Sequence, residues 1–364
     1  MSPHNIPPLN KIPQFRLIGS KHGVLNNLFE VIRKENITGE KFFDVFSGST
    51  AVGRYFKKMF SIISNDNLYF SYVLQRALIG LNNYPTFDNL RILNISSEPK
   101  KRIYQVLEFL NRNECVEGFV YHHYTPASKI IDGIERRYFS KINGKKIDGV
   151  RTKIENWFTS GYINEGEYFY LIASLLIAVQ KVANISGTYG AFNKFWDPRA
   201  NKPLTLKSIE IIPSKFKHIA FNKDSFDLLN NIICDIAYID PPYNSRQYIA
   251  NYHVLETIAK YDGPKISGKT GIRDYGEKEK SVFCSKRTVG SALLKLLNGL
   301  NTKYIILSYN SEGLLSKDEI TEIFKKSKLN GVKLYEFPYR RFKSNHNSHN
   351  DKVKEYIFMG KVIK

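Results

Sequence analysis

The sequence of 364 residues predicts an α/β fold, a sheet with helices on both faces interrupted by an inserted, mostly helical segment. Three observations carry that prediction. Lys41–Phe46 is a short β-type run that enters the turn Ser47-Gly48-Ser49-Thr50 and then a helical stretch, Ala51–Phe60, which is the opening of a βαβ unit. Near-continuous apolar runs recur late in the chain at Ile232–Ile239, Lys303–Ser308 and Glu355–Met359, as central strands covered on both faces require. Between these regions, beyond about Lys100, helical stretches at Tyr104–Leu110 and Glu165–Ala183 are separated by polar and aromatic ground, so the middle reads as an insertion into one α/β domain.

The remaining elements follow in order. Phe60–Ser64 is a second short strand running into Asn65-Asp66-Asn67, and a helix begins near Leu68. His218–Phe221 is the strand that resumes the sheet after the insertion. Ser344–Asp351 has no apolar anchor and is expected to be a mobile loop.

Composition narrows the class. Hydrophobic residues make up 42% of the chain, enough for a packed core, so intrinsic disorder is excluded. No run reaches the roughly 18 apolar residues that a membrane span needs, and Met1–Lys21 has no apolar core of a secretory signal. Three scattered cysteines make neither a zinc spacing nor a disulfide framework. The expectation is a reduced, soluble, intracellular protein without membrane attachment. Lys+Arg 54 against Asp+Glu 34 leaves a net charge of +20, which suits a polyanionic partner, nucleic acid first. A Lys/Asn-heavy genome would produce the same bias.

The sharpest chemical signal is Asp240-Pro241-Pro242-Tyr243, directly after the strand that ends at Ile239. Two prolines cannot continue a sheet, so they turn the chain out at the strand's carboxyl end, where open α/β sheets place ligands. The tetrapeptide presents a carboxylate, a stiff turn with free carbonyls and an aromatic ring on one ledge. Such a ledge can hold a planar heterocycle with an exocyclic amine: Tyr243 stacks on the base, while Asp240 and a proline carbonyl accept the two N–H bonds.

On Asp240–Tyr243 the chain resembles the S-adenosylmethionine-dependent, adenine-N6 DNA methyltransferases of the Dam-like, class alpha arrangement, whose DPPY motif these four residues match without a change. The resemblance implies a Rossmann-like methyltransferase sheet, with catalytic residues Asp240, Pro241, Pro242 and Tyr243. Other segments fall in the family's order. Arg16-Leu-Ile-Gly-Ser-Lys21 resembles the N-terminal segment that cradles the cofactor, which implies roles for Arg16, Gly19, Ser20 and Lys21. Asp44–Gly53 resembles the glycine-rich cofactor loop, with Asp44, Phe46, Gly48 and Ser49 in contact, and departs from it in having Thr50 at the usual second glycine. Gly53 suits close helix–strand packing. Asp66 is placed for ribose hydroxyls, although a turn or N-cap residue fits equally. Asn222–Phe226 resembles the third cofactor segment, in which Asp224 bonds the adenine amine and Ser225 and Phe226 complete the contact; a capping aspartate and a core phenylalanine fit as well. Leu307–Asn310 resembles a segment lining the target-base pocket.

The same resemblance makes residues 1–95 and 206–364 the catalytic domain and residues 96–205 a target-recognition insertion. Candidate DNA contacts are Arg136, Arg137, Lys194 and Arg199 in the insertion, Arg246 and Gln247 beside the ledge, and Arg340, Arg341 and Lys343 near the carboxyl end. For each insertion residue a solvated basic face is the plainer reading. The implied partners are double-stranded DNA and a cognate restriction endonuclease acting on the same site. A monomer in a prokaryotic cytoplasm is expected. His122-His123 and His346/His349 have no supporting ligand spacing, and the reaction needs no metal. Cys234 lies in an apolar strand, and no Pro-Cys pair exists for cytosine-C5 chemistry. Amino-methylation of RNA or of cytosine N4, and a non-catalytic DNA-binding module, are the competing readings.

Overall fold

A computed structural model describes residues 21–90, 96, 98–112, 115–339 and 353–363. A short 3-10 turn at Lys21–Val24 leads into α1 (Leu25–Lys34), which buries Leu25, Leu28, Phe29 and Ile32 along one stripe. β1 (Lys41–Asp44), α2 (Ala51–Phe56), β2 (Ser61–Asn65) and α3 (Tyr69–Leu78) complete the first βαβα unit. Five helices follow: α4 (Pro99–Arg112), α5 (Phe119–Tyr124), α6 (Ser128–Asp132), α7 (Lys141–Thr159) and α8 (Glu165–Val182). The sheet resumes with β3 (Ile219–Phe221) and β4 (Ile236–Ile239), then α9 (Tyr248–Lys260) and a small hairpin of β5 (Ile266–Ser267) and β6 (Ile272–Arg273). α10 (Lys286–Gly299), β7 (Tyr304–Asn310), α11 (Lys317–Lys326), β8 (Leu329–Tyr339) and β9 (Val353–Val362) close the chain.

Among the described residues, seven strands form one sheet in the order β3-β2-β1-β4-β7-β9-β8. The first five are parallel, and β9 and β8 add antiparallel at the far edge. One face is covered by α10 and α11, whose Leu293, Leu296, Ile320 and Phe324 pack on Phe43, Ala237, Ile305 and Leu307. The other face carries α1 and α2 over Phe42, Ile62, Ile236 and Ile306. Helices α4, α5, α7 and α8 do not fold around a core of their own: their apolar faces merge with those of α3 and α9 into one continuous cluster, while α6 leaves Ile130 and Ile131 exposed. α3 and α9 flank the ledge and its cleft, so packing ties the inserted helices to the cleft walls.

Two sequence expectations shift. The apolar run from Ile232 pairs as a strand only from Ile236, because Asp235 turns its carboxylate onto the backbone N–H groups of Glu40 and Lys41 and leaves Ile233 two-thirds exposed. The helix expected to reach Phe60 ends at Phe56, where Met59 and Phe60 donate back to the Phe56 carbonyl in a tight turn. The expected loop at Ser344–Asp351 lies outside the described residues. Cys234 is buried, and burial raises its thiol to about 11, which suits a core residue and no nucleophile. Among the described residues no helix is long and apolar enough to cross a membrane.

Candidate active site

Strand order reverses direction between β1 and β4: from β1 the chain goes outward to β2 and β3, and from β4 to β7. Open α/β sheets bind ligands outside the carboxyl ends of their strands at such a point. Here β1 ends at Asp44, opposite Tyr238 of β4, and β4 runs directly into Asp240. The turn after β1 and the Asp240–Tyr243 ledge therefore face each other across one cleft, which holds about 750 Å³ of space opening to solvent.

The loop wall of the cleft is held from three sides. Asp66, at the end of β2, accepts hydrogen bonds from Gly48 N (2.8 Å) and Leu68 N (3.0 Å). Ser71 of α3 donates to the Gly48 carbonyl at 2.8 Å, and Ser47 N donates to the Asn65 carbonyl at 2.8 Å. Gly48 has φ +47°, and Thr50 at the usual glycine position has φ +66°. The threonine thus adopts the left-handed backbone that a second glycine would supply, a conformation that costs an L-residue about 1–2 kcal/mol. Loop shape survives the departure in sequence because Thr50 N bonds the Ser47 carbonyl at 2.7 Å and the side chain is fully buried. Gly53 sits where a Cβ would lie 2.5 Å from the end of the Ile79 side chain, so a larger residue there would displace that side chain.

On the opposite wall Tyr243 sits edge-on to Tyr309, with ring centroids 6.3 Å apart, and its backbone carbonyl accepts from Leu314 N. Tyr248 and Tyr252 of α9, together with Phe70 of α3, add aromatic surface. Tyr252 breaks the helical φ/ψ of α9 (φ −124°, ψ 18°), a local kink at the cleft. Tyr248 follows the ledge directly, where the sequence places it near the target base or its phosphate, whereas Phe70 and Tyr252 are not singled out by the sequence. The i, i+4 spacing of Tyr248 and Tyr252 just after the ledge was the available signal.

A second, smaller cavity adjoins the first and shares Phe46, Asn67 and Pro242 with it. Asp224, Ser225 and Phe226 line it. Asn65 fixes this segment by donating to the Lys223 carbonyl and accepting from Lys223 N. One oxygen of Asp224 caps the short helical turn through Phe226 N at 2.8 Å, and Phe226 stacks on Phe283. The capping and ligand-contact readings of Asp224 are therefore compatible.

The cleft is acidic and poorly solvated. Asp44 is buried, and among the described residues its oxygens make no hydrogen bond of good geometry; burial with the nearby Asp240 charge outweighs the pull of Ser47 and the Gly53 N–H and raises its carboxyl to about 8. Asp66 is raised to about 6 by burial, against the pull of its two N–H donors. Asp240 is raised to about 7 by burial, with Lys21 opposing and Glu355 adding. Lys21 is buried with its Nζ 3.1 Å from Asp240 and 2.6 Å from Glu355. Burial works against its charge, but the two carboxylates outweigh burial and hold its pKa above the usual lysine value. Such a site favours a cationic ligand over a neutral one.

Of the expected site residues, Lys21, Asp44, Phe46, Gly48, Ser49, Asp66, Asp240, Pro241, Pro242 and Tyr243 line the first cavity, and Asp224, Ser225 and Phe226 the second. Arg16, Gly19, Ser20, Arg340, Arg341 and Lys343 lie outside the described residues. Asn310 spends its side chain on the turn, accepting from Glu312 N. Arg136 is a correction: it is 1% exposed, bonds Asp132 and the Gly268 carbonyl, and has no surface to offer DNA. Gln247 holds the Ser281 backbone through both ends of its amide, a structural role that the sequence concealed. Arg137 pairs with Glu135 and Arg199 with Asp197, while Lys194 and Arg246 are exposed.

Residues 17–323 match the family of D12 class N6 adenine-specific DNA methyltransferases. Among curated proteins, the Type II methyltransferase M.FokI of Planomicrobium okeanokoites is 44% identical over 94% of this chain and 52% of its own length. Modification methylase StsI of Streptococcus sanguinis is 37% identical over 94% of this chain and 51% of its own. The Type II methyltransferase M.NlaIII of Neisseria lactamica is 39% identical over 93% of this chain and 97% of its own. The chain spans about half the length of the first two relatives and nearly all of the third.

Proposed function

Because this chain belongs to the D12 class N6 adenine-specific DNA methyltransferases, we propose that it methylates the N6 amine of an adenine flipped out of double-stranded DNA, at a specific sequence and with S-adenosylmethionine as donor. The observation that carries the proposal is the meeting, in one cleft at the sheet's switch point, of the Asp240–Tyr243 ledge with the Gly48 loop and the buried Asp44 carboxylate. M.FokI, StsI and M.NlaIII bear the names of Type II methyltransferases or modification methylases, which supports a place in a restriction–modification system beside an endonuclease of the same specificity. A single chain acting as a monomer in a prokaryotic cytoplasm belongs to the same reading.

The residues suit the donor. An acidic cleft complements a molecule that carries a sulfonium and an ammonium, and Asp44 is the buried carboxylate that would accept from the ammonium. Asp66 takes the ribose hydroxyls, and Asp224 with Phe226 takes the donor's adenine. Once bound, the donor supplies an activated methyl group, so no covalent enzyme intermediate is required. The protein's task is to hold the target amine in line at near-attack distance. Asp240 and the Pro241 carbonyl accept the two amine hydrogens, which localises the nitrogen lone pair and stabilises the positive charge developing there. The released proton passes to water. Flipping the base costs a few kcal/mol, and stacking on Tyr243 returns about 1–3 kcal/mol of it.

Residues 96–205 act as the target-recognition region, with Arg137, Lys194 and Arg199 toward the DNA and Arg246 at the ledge. Sequencing DNA from cells that express the protein, with detection of modified bases, tests the whole reading: N6-methyladenine at one recurring sequence is expected, and cytosine modification or none would overturn it. Tyr243→Ala should weaken capture of the extruded base by about 5- to 150-fold, the equivalent of the stacking energy. A 2-aminopurine at the target position should brighten less on binding the variant, and an unchanged response would count against the stacking role.

A further inference from the structure

The residue that the site description leaves without a task is Glu355. It sits on β9 opposite Asn310 of β7 and Phe337 of β8, with its side chain 2% exposed. It does not line the cleft; it stands behind Lys21 and takes that ammonium at 2.6 Å, closer than the 3.1 Å from Lys21 to Asp240. Stability alone is a poor explanation for this triad. Desolvating three charges is costly, and buried ion pairs replaced by apolar groups of similar volume are often neutral or better.

The charges give a better account. Lys21 and Asp240 by themselves would cancel, and the ledge would present a neutral pair to whatever enters the cleft. With Glu355 present, two carboxylates share one ammonium, so with both ionised the group is anionic, although burial and their mutual repulsion raise the pKa of Asp240 and burial raises that of Glu355. We infer that Glu355 is a positioning residue that takes up the charge of Lys21, so that Asp240 faces the cationic donor and the developing positive charge on the target amine as a net anion. The lysine remains useful because it fixes the carboxylate's orientation and stands 5.8 Å from the Tyr243 ring centre. Among the described residues, the other titratable groups facing the triad are Asp44 and the Tyr238, Tyr243 and Tyr248 phenols. Glu355 is the partner that alters the sign of the local charge without touching a ligand.

This inference rests on the methyl-donor reading above, and the test separates the two. Calorimetry compares binding of S-adenosylmethionine, which is cationic at sulfur, with S-adenosylhomocysteine, a neutral thioether of nearly the same shape. In Glu355→Gln, which keeps shape and one acceptor for Lys21, the preference for the sulfonium over the thioether should fall several-fold, up to about tenfold. Glu355→Asp, which keeps a negative charge beside Lys21, should hold the ratio within about twofold of wild type. A merely structural role predicts instead that both compounds lose affinity together, with the ratio unchanged. Should Glu355→Gln fail to fold, Glu355→Leu, which also removes the charge, takes its place: a lowered ratio supports the inference and an unchanged one overturns it. An unchanged ratio in Glu355→Gln overturns this inference only, whereas wild-type protein binding neither compound overturns the donor reading and this inference with it.

Discussion

Asp240→Ala is expected to lower methyl transfer by at least about 10²–10³-fold while leaving specific DNA binding nearly intact. The size follows from what the alanine removes. The carboxylate directly after β4 is the one anionic acceptor on the ledge, and the amine it would hold is a weak nucleophile whose lone pair is delocalised into the ring. Without it the Pro241 carbonyl retains one amine hydrogen, and nothing anionic on the ledge opposes the charge that develops on nitrogen. The fold should tolerate the loss, because Lys21 keeps its shorter contact with Glu355 and no buried cation is stranded. DNA binding should persist because the exposed cations assigned to it, Lys194 and Arg246 among them, are untouched. Single-turnover methylation and a binding isotherm on the same duplex check both halves. Near-normal turnover would remove Asp240 from the mechanism.

Asp44→Asn should have opposite effects on stability and on donor binding. The carboxyl is raised from its ordinary value of 3.8 to about 8, chiefly by burial, so the folded state holds its proton more tightly than the unfolded chain. Linkage then gives the sign. The stabilisation from the protonated form is complete below about pH 4, declines as pH rises, and is lost by about pH 8, where the folded group must ionise. Each pH unit in that window costs about 1.4 kcal/mol, an upper bound of several kcal/mol in total. Asparagine does not titrate. The melting temperature of the variant should therefore exceed that of the wild type by a margin that grows from pH 4 to pH 8 and then levels off. Asp66 and Asp240 titrate in the same range and are coupled to Asp44, so part of the margin reflects their easier ionisation in the variant. At the same time, affinity for S-adenosylmethionine should fall about 10- to 100-fold, the value of a charge-assisted hydrogen bond to the donor's ammonium. A variant that is more stable at pH 8 and binds the donor as well as wild type would leave Asp44 a strained structural residue and dismiss it from the site.

Much of this site was readable because it is contiguous in the chain. Asp240–Tyr243 announces itself by two prolines after an apolar strand, and the Gly48 loop by a strand, a turn and a helix. Asp224 and Asp66 were ambiguous in sequence between caps and ligand contacts. Each proves to do capping or loop-holding work in a position that also borders a cavity. The basic residues of the insertion were harder to place. Arg136 and Arg137 are adjacent and chemically alike, yet one is enclosed beside Gly271 and the other is partly exposed. Burial depends on which side of a short segment faces α9 and the hairpin, and no local pattern records it.

The sequence by itself determined the parallel α/β framework, the ledge, the loop and the order in which they occur, because apolar periodicity, proline geometry and glycine turns act over a few neighbouring residues. Only the tertiary structure decided that Lys21, Asp240 and Glu355, separated by up to 334 positions, share one buried charge cluster, and that α3 and α9 bind the insertion to the cleft. Electrostatic and packing terms depend on distance in space and on exclusion of water, and those are set when the sheet closes its order around β1 and β4.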